Sequence, residues 1–556
     1  MIDLDWLYET AYDIFLVLSG IDLFIMATAL ENQNESTNEN PNEADSVDGV
    51  LVDRFPEALR VSRFTFFTVC ILSLAFLLFS SMPLWHTDIW GHLAYGRLIW
   101  ETGSIPAFEP LVPLSSGVPF IDTAWLSQIF AFGSYELFGV AGIKLLYAAA
   151  ITACMGLLLY RVQKRTDSYF WSLICVAGFL LCDWKQLGIV RPQLAGLLCF
   201  VLLFTVLNAR PWRSYYWLLI TGLFVLWANL HGSFPVGLGL IGCFLVGRAV
   251  DVGRKSGTWK AMFGDSVTRR YLLLLELSAI AVLVNPYGLQ LYTEVFGFSS
   301  NANLEDLIEW NPLTLRMYQG KAAALLGLLL VIACRLTPRR ISTAEILILV
   351  GLGVAALWSS RMIIWWAPVA AYYLALHGAA IWGHKLKRLT DQTEMDGVFC
   401  AGKWTIVSVG VVWICFAITP IGSQILHGKQ VDYEKSVSKA TPIGAVNYLK
   451  EKQIEGQLFN SMELGDYLLW AGPEKASVFA NSHVHLLPQE VWRHYLTISN
   501  LGSDWSELLD RYGVNTIVLD LPRRNNLLRR LEKEGQWRVG YKDSRSVVLL
   551  RNDPIQ

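Results

Sequence analysis

The chain has 556 residues, of which 53% are hydrophobic and only 17% charged, with a formal net charge of −2. Soluble domains carry about 25% charged residues, so this apolar excess points to a polytopic membrane protein. The near-neutral balance excludes a generally basic chain that binds nucleic acid.

Residues 11–30, AYDIFLVLSGIDLFIMATAL, are long enough to span a membrane. Asp13 and Asp22 oppose this, each costing about 2.5–3.5 kcal/mol near a helix centre, and no Lys or Arg precedes them. The segment reads as a weak span, an interfacial helix, or translated sequence ahead of the functional start. It lacks the basic n-region of a signal peptide. Residues 31–49, rich in Asn, Glu and Ser, are expected to be a disordered linker, so residues 1–60 stand apart from the rest of the chain.

Apolar segments then recur near residues 62–84, 140–160, 169–183, 192–208, 215–230, 235–250, 271–286, 321–334, 341–358, 362–382 and 403–420. These predict about eleven helices, several of them short enough to be tilted or partly buried. Basic residues cluster at Arg54, Arg60 and Arg63; at Arg161, Lys164 and Arg165; at Arg210 and Arg213; and from Arg248 to Arg270. Further clusters are Arg335, Arg339 and Arg340, then Lys385, Lys387, Arg388 and Lys403. Alternating the spans puts every cluster on one side, which the positive-inside rule makes cytoplasmic. Eight of the nine cysteines lie in or beside apolar runs and Cys400 lies just before one. They form neither a disulfide framework nor a zinc spacing, and read as small packing residues.

After the first span comes WHTDIWGHLAYGRLIWETGSIP, Trp85 to Pro106, expected as a short helix at the membrane surface. Thr87 or Asp88 can cap its start, and Gly103 with Pro106 stops it. Asp88 and His92 fall four residues apart, on one helix face. A carboxylate and an imidazole held there suit chemistry, while the plainer reading makes Asp88 a cap and His92 a packed polar residue. The opposite helix ends carry Arg191 in GIVRPQ, His231 in WANLHGSF, Asn285 in NPYG, Glu309 in IEWNP and Arg361 in SSRMIIWW. Each has a structural explanation alone, such as snorkelling for the arginines or a turn at Asn285. Together at one face they are expected to line a shared water-filled cavity.

From about residue 429 the charges return and no further span is expected. Helix Pro442–Gln453, strand Gly456–Asn460, helix Glu463–Trp470, strand Ser477–Ala480, helices Gln489–Asn500 and Trp505–Tyr512, strand Asn515–Leu519 and helix Arg523–Gly535 are predicted. A hairpin from Trp537–Tyr541 to Ser546–Arg551 closes the chain. This is an α/β domain of parallel character over residues 429–556, following a membrane domain over 61–428. After an odd number of spans it lies outside. LGDYLLWAG lacks a glycine-rich phosphate loop, and the two histidines of NSHVHLLP, His483 and His485, read as surface loop residues.

The order D-x-W-x-H-L-x-x-G, RPQ, W-A-N-L-H-G, N-P-Y-G, I-E-W and a late Arg resembles bacterial multi-spanning proteins of GT-C glycosyltransferase type. They are similar in plan to protein O-mannosyltransferases and aminoarabinose transferases. The resemblance covers roughly residues 60–550. It implies a protein of the bacterial cytoplasmic membrane with an acid in its first large outer loop, matched here by Asp88. It also implies a polyprenyl-phosphate sugar as donor and an extracytoplasmic acceptor, whether lipid, glycan or protein. Some members hold a divalent metal with an Asp-x-Asp pair. Here His86-Thr87-Asp88 stands instead, so metal dependence stays open and no other cofactor is expected.

The residue types suit that reaction. A fixed Arg stabilises the phosphate that leaves the anomeric carbon, and a carboxylate takes the acceptor's proton. Arg191 and Arg361 are the candidates for the first task and Asp88 for the second, with His92 or Glu309 orienting it or helping to bind substrate, as His231 and Asn285 are expected to do. Two other classes share these features: a transporter of lipid-linked sugars, and a non-catalytic relative that binds envelope glycans or assembles complexes. The transporter would need polar residues at membrane depth and openings to both sides, whereas here the polar set keeps to one face.

Overall fold

All eleven apolar segments fold as helices, and the first fixes how the chain enters the bundle. Ser62 caps α1 (Arg63–Ser81), its hydroxyl accepting from the Thr65 N–H. The computed structural model describes residues 55–386, 400–428 and 432–554. The N-terminal apolar segment, the polar linker and the basic residues Lys387 and Arg388 lie outside them.

Two helices, α2 (Ile89–Thr102) and α3 (Trp125–Phe138), come before the bundle resumes. It continues with α4 (Val140–Thr166), α5 (Tyr169–Leu187), α6 (Gln193–Leu207), α7 (Tyr216–Leu230), α8 (Phe234–Ser256) and α9 (Ser266–Val282). After the short α10 (Gln290–Phe298) come α11 (Tyr318–Leu336), α12 (Thr343–Trp358), α13 (Ile363–Leu386) and α14 (Gly402–Ile418). Six of these, α1, α4, α5, α8, α11 and α13, are long and apolar enough to cross a membrane among the described residues. A seventh arises if α14 and α15 (Pro420–His427), bent by 87°, count as one span. The expected eleven spans thus become eleven helices of unequal reach. A 15-residue helix such as α6 or α7 is only about 23 Å long.

The bundle is centred on α13. Its residues from Val369 to Leu376 are all buried, as a helix that is apolar all round requires. It packs mainly against α5 and α11. Arg361, immediately before it, is therefore carried to the middle of one bundle end.

The basic ends gather at the other. Arg270 lies over the Trp212 ring at 4.8 Å, Arg248 binds Asp265 at 2.7 Å, and Arg340 approaches Asp251 at 3.7 Å.

The C-terminal segment builds a five-stranded sheet from β3 (Gly456–Asn460), β4 (Ala476–Ser477), β5 (Thr516–Asp520), β6 (Trp537–Lys542) and β7 (Ser546–Arg551), in the order β4-β3-β5-β7-β6. A two-residue ribbon, β1 (Val61–Ser62) with β2 (Cys400–Ala401), is the only other sheet among the described residues. Strands β4, β3 and β5 run parallel, while the β6–β7 hairpin adds antiparallel pairs. The sheet is mixed rather than simply parallel, because a hairpin can only close antiparallel. The predicted strand Ser477–Ala480 is shortened to Ala476–Ser477. Beyond it, the Asn460 side chain takes over the pairing by accepting from the Phe479 N–H at 2.8 Å. The helices are α16 (Ile443–Glu451), α17 (Met462–Ala471), α18 (Gln489–Ser499), α19 (Trp505–Arg511) and α20 (Leu521–Glu534).

This segment and the helices form one compact unit, Glu57–Gln556. The join is made by α2. Trp90 and Leu93 are fully buried, with Trp90 edge-on to Tyr467 of α17 at 5.2 Å. Of the apolar side chains of α2, Trp100 is 56% exposed, whereas Ile89, Trp90, Leu93 and Ile99 are covered by protein.

Candidate active site

The segment between α1 and α2 is stitched to the C-terminal part before it reaches Asp88. Leu84 donates its N–H to the Ser436 carbonyl at 2.9 Å and accepts from the Ser438 N–H at 2.7 Å. Asp88 then takes φ 58° and ψ −66°, a left-handed backbone that non-glycine residues rarely adopt. Its N–H donates to Asp466 Oδ2 of α17 at 3.0 Å. Asp466 is held in turn by Ser482, whose hydroxyl donates to Oδ1 at 2.9 Å.

Asp88 precedes α2 but its side chain makes no capping hydrogen bond. The carboxylate instead accepts from Arg191 Nε at 3.1 Å and from the Thr87 hydroxyl at 2.8 Å. Gly103 ends the helix as expected, in a left-handed conformation with its N–H on the Ile99 carbonyl.

Arg191 sits in the turn between α5 and α6, where Pro192 starts the next helix. Besides Asp88 it grips Glu309 with both terminal nitrogens, Nη1 reaching Oε2 at 2.7 Å and Nη2 pairing with Oε1. The planar fork suits this two-sided grip, and Arg191 is only 10% exposed. Glu309 is fixed from its main chain as well, since the Ser360 hydroxyl donates to its carbonyl at 3.0 Å. The same turn carries Arg361, whose guanidinium lies 5.8 Å from the Trp310 ring and forms no ion pair among the described residues.

Burial pushes the Asp88 carboxyl up, but Arg191, with help from Thr87 and Arg361, outweighs it and leaves the pKa below the usual value. Glu309 follows the same balance: burial raises it, Arg191 lowers it further. Asp466 goes the other way, pushed up to about 7 by burial and by the neighbouring Asp88 charge.

Three histidines at this bundle end, His92, His231 and His483, stand near this ion triad. Gln128 Nε2 contacts His92 Nδ1 at 3.2 Å and donates to Asp122 Oδ1 at 3.0 Å. His231 Nδ1 accepts from the Ser233 N–H at 3.1 Å. In these networks both imidazoles accept at Nδ1, so in neutral form each carries its hydrogen on Nε2. His483 stands edge-on to His92, ring centres 5.1 Å apart. Burial holds His231 down to about 3 and His483 to about 4; Arg361 and Arg191 lower His231 further. His92 is likewise held well below its usual value, by burial and then by His483, His231 and the arginines.

The structure therefore brings Asp88, His92, Arg191, His231, Glu309 and Arg361 to one bundle end. Asn285 is different. Its amide donates to the Val282 and Gly288 carbonyls at 2.6 and 3.2 Å and its oxygen accepts from the Tyr287 N–H at 2.7 Å, so the side chain closes the NPYG turn instead of facing a substrate. That turn aims Tyr287, whose hydroxyl accepts from the Asp122 N–H at 2.9 Å.

Three residues not chosen from sequence stand in or behind the site. Asp466 and His483 come from LGDYLLWAG and NSHVHLLP; the latter is no surface loop, for Val484 and Leu486 beside it are buried. Asp122 is 4% exposed, and burial pushes its carboxyl up to about 7. The available signal was a lone acid within an otherwise apolar stretch, as in VPFIDTAWL and LGDYLLWA.

A metal ion fits poorly here, because the Arg191 guanidinium fills the space between Asp88 and Glu309 that a divalent cation would take. Cys334, Glu345 and His377, near the far bundle end, do have donor atoms within 4.8 Å of one another. Arg339 is bound among them, at 3.1 Å from Glu345 and 3.2 Å from His377, again a fixed positive charge where a cation would sit.

In sequence, no family model and no curated protein matches the chain. In structure it is similar to ArnT from Cupriavidus metallidurans bound to undecaprenyl phosphate, with a TM-score of 0.50 at 13% identity, covering 87% of this chain and 97% of that one. It is also similar to the arabinofuranosyltransferase AftD from Mycobacteria, with a TM-score of 0.51 at 13% identity, covering 89% of this chain but 40% of that one. The chain shares its fold with these two proteins, and six of its described helices are long and apolar enough to cross a membrane.

Proposed function

We propose that the protein is a membrane glycosyltransferase that moves a sugar from a polyprenyl-phosphate donor to a hydroxyl of an extracytoplasmic acceptor. The observation that carries this is the triad Asp88–Arg191–Glu309 set beside Arg361, a cation without a carboxylate partner among the described residues. The likeness to ArnT bound to undecaprenyl phosphate supports the same donor class.

In this reading the acceptor oxygen attacks the anomeric carbon as the carbon–oxygen bond to the lipid phosphate breaks. The phosphate leaves with the bonding electrons, and the acceptor proton passes to Asp88. Asp88 is suited to this because Arg191 keeps it ionised at neutral pH. Arg191 is occupied by two carboxylates, so its task is to orient Asp88. Arg361 is the cation that meets the phosphate, joined by the Nε2–H groups of His92 and His231.

The bundle end bearing Asp88 faces outward, in a bacterial cytoplasmic membrane, with the α/β segment over it. Transfer from a polyprenyl-phosphate sugar tests the reading. Asp88→Asn should lower turnover about 10²–10⁴-fold with the melting temperature little changed. Near-native turnover by that variant would remove Asp88 as the base. Donor translocation without transfer would favour a transporter.

A further inference from the structure

The bundle end remote from Asp88 holds a cavity of about 460 Å³ between the last turns of α8 and the first turn of α12. Arg254, Lys255 and Arg340 line it, with Asp251 as the opposing charge. Asp251 is already engaged: the Thr343 hydroxyl donates to it at 2.7 Å and the Thr343 N–H at 3.2 Å, tying it to the start of α12. Arg340 approaches it at 3.7 Å, while Arg254 and Lys255 form no ion pair among the described residues. The positive end of the α12 dipole points into the same space.

An apolar track leaves this cavity. Ile346, at its edge, is 50% exposed, and Val350 and Val354 continue it at 58% and 59%. Spaced four apart, they form one stripe along α12, in the direction of the bundle's apolar belt. A charged cup that opens onto an apolar stripe matches a molecule with an anionic head and an acyl tail.

We propose that this cavity binds the headgroup of an anionic phospholipid, with an acyl chain lying along Ile346, Val350 and Val354. The shared chemistry with free phosphate is the negative charge; the stripe favours the lipid, because a free anion would use none of it. The site is independent of the activity proposed above, and places a lipid contact at the basic end of the bundle.

The test uses the full-length protein in neutral detergent. Phosphatidylglycerol, phosphatidylcholine or inorganic phosphate is titrated, with melting followed by tryptophan fluorescence and bound lipid counted by native mass spectrometry. Phosphatidylglycerol should raise the melting temperature and stay bound, while phosphatidylcholine and phosphate should do neither. Removing the cations with Arg254→Gln, Lys255→Gln and Arg340→Gln should weaken the response about fivefold for each, with the lipid-free melting temperature kept. If the triple variant does not fold, Lys255→Gln alone still reports one such step. Val350→Gln should weaken the lipid response as well. An equal shift with phosphate would make this a free-anion site, and an equal shift with phosphatidylcholine would remove the headgroup charge from the argument. An unchanged phosphatidylglycerol response in the charge variants would overturn the proposal.

Discussion

Asp88 and Asp466, 378 residues apart, are joined by one hydrogen bond, from the Asp88 main-chain N–H to Asp466 Oδ2 at 3.0 Å. The bond requires α17 to lie very close to α2. Gly91 is what permits that approach, since a Cβ there would stand 2.5 Å from Asp466 Oδ1.

Gly91→Ala should therefore displace Asp466. We expect a loss of about 1–3 kcal/mol in stability from overpacking, together with reduced turnover. Gly222→Ala in α7, where a Cβ meets no atom within 4 Å, is the control and should be neutral or stabilising by up to about 1 kcal/mol. Chemical denaturation and a transfer assay on both variants decide it. If Gly91→Ala matches the native protein in both, the contact between Asp88 and Asp466 is dispensable.

The two arginines should separate kinetically. Arg191→Lys keeps the charge but cannot hold Asp88 and Glu309 at once, so kcat should fall at least about tenfold with donor KM nearly unchanged. Arg361→Lys should instead raise the KM for the lipid-linked donor. The same kinetic change in both variants would contradict the division of labour between them.

Asp122 gives a pH signature. Burial raises its carboxyl from 3.8 to about 7, so the folded protein holds this proton where the unfolded chain releases it. The resulting stability is fully present below about pH 4 and is lost as pH rises to about 7. Between pH 5 and 8 the native melting temperature should therefore fall relative to that of Asp122→Asn. Parallel curves for the two proteins would show that Asp122 titrates normally.

Orientation has a direct measurement. The basic ends of the helices gather opposite Asp88, so a reporter active only in the cytoplasm should be silent when fused after Gln556. An active fusion would place the α/β segment inside and end the extracytoplasmic reading of the site.

Much of the bundle was legible because each helix needs a long apolar run, and these runs survive in sequence whatever their neighbours are. Arg191, Glu309 and Arg361 could be selected for a similar reason: charge at the end of an apolar helix is costly unless it has a purpose or a partner. What the sequence hid was partnership. Nothing local in RPQ or IEW says that one guanidinium grips both Asp88 and Glu309. Asp466 and His483 look ordinary until α17 packs on α2, burying Asp466, and the loop after β4 brings His483 edge-on to His92. Asn285 misleads in the opposite sense, since the turn chemistry of NPYG uses the side chain completely.

The left-handed backbone at Asp88 bears on how the protein matures. Such a conformation persists where surrounding structure holds it, and part of that hold comes from Asp466 and Ser482, which leave the ribosome after every apolar helix of the bundle. A growing chain can assemble its bundle and even pair Arg191 with Glu309 while the acid between them still lacks its settled geometry. Completion of the α/β segment is then the event that finishes the site, so a chain truncated before residue 466 should be well inserted and inert.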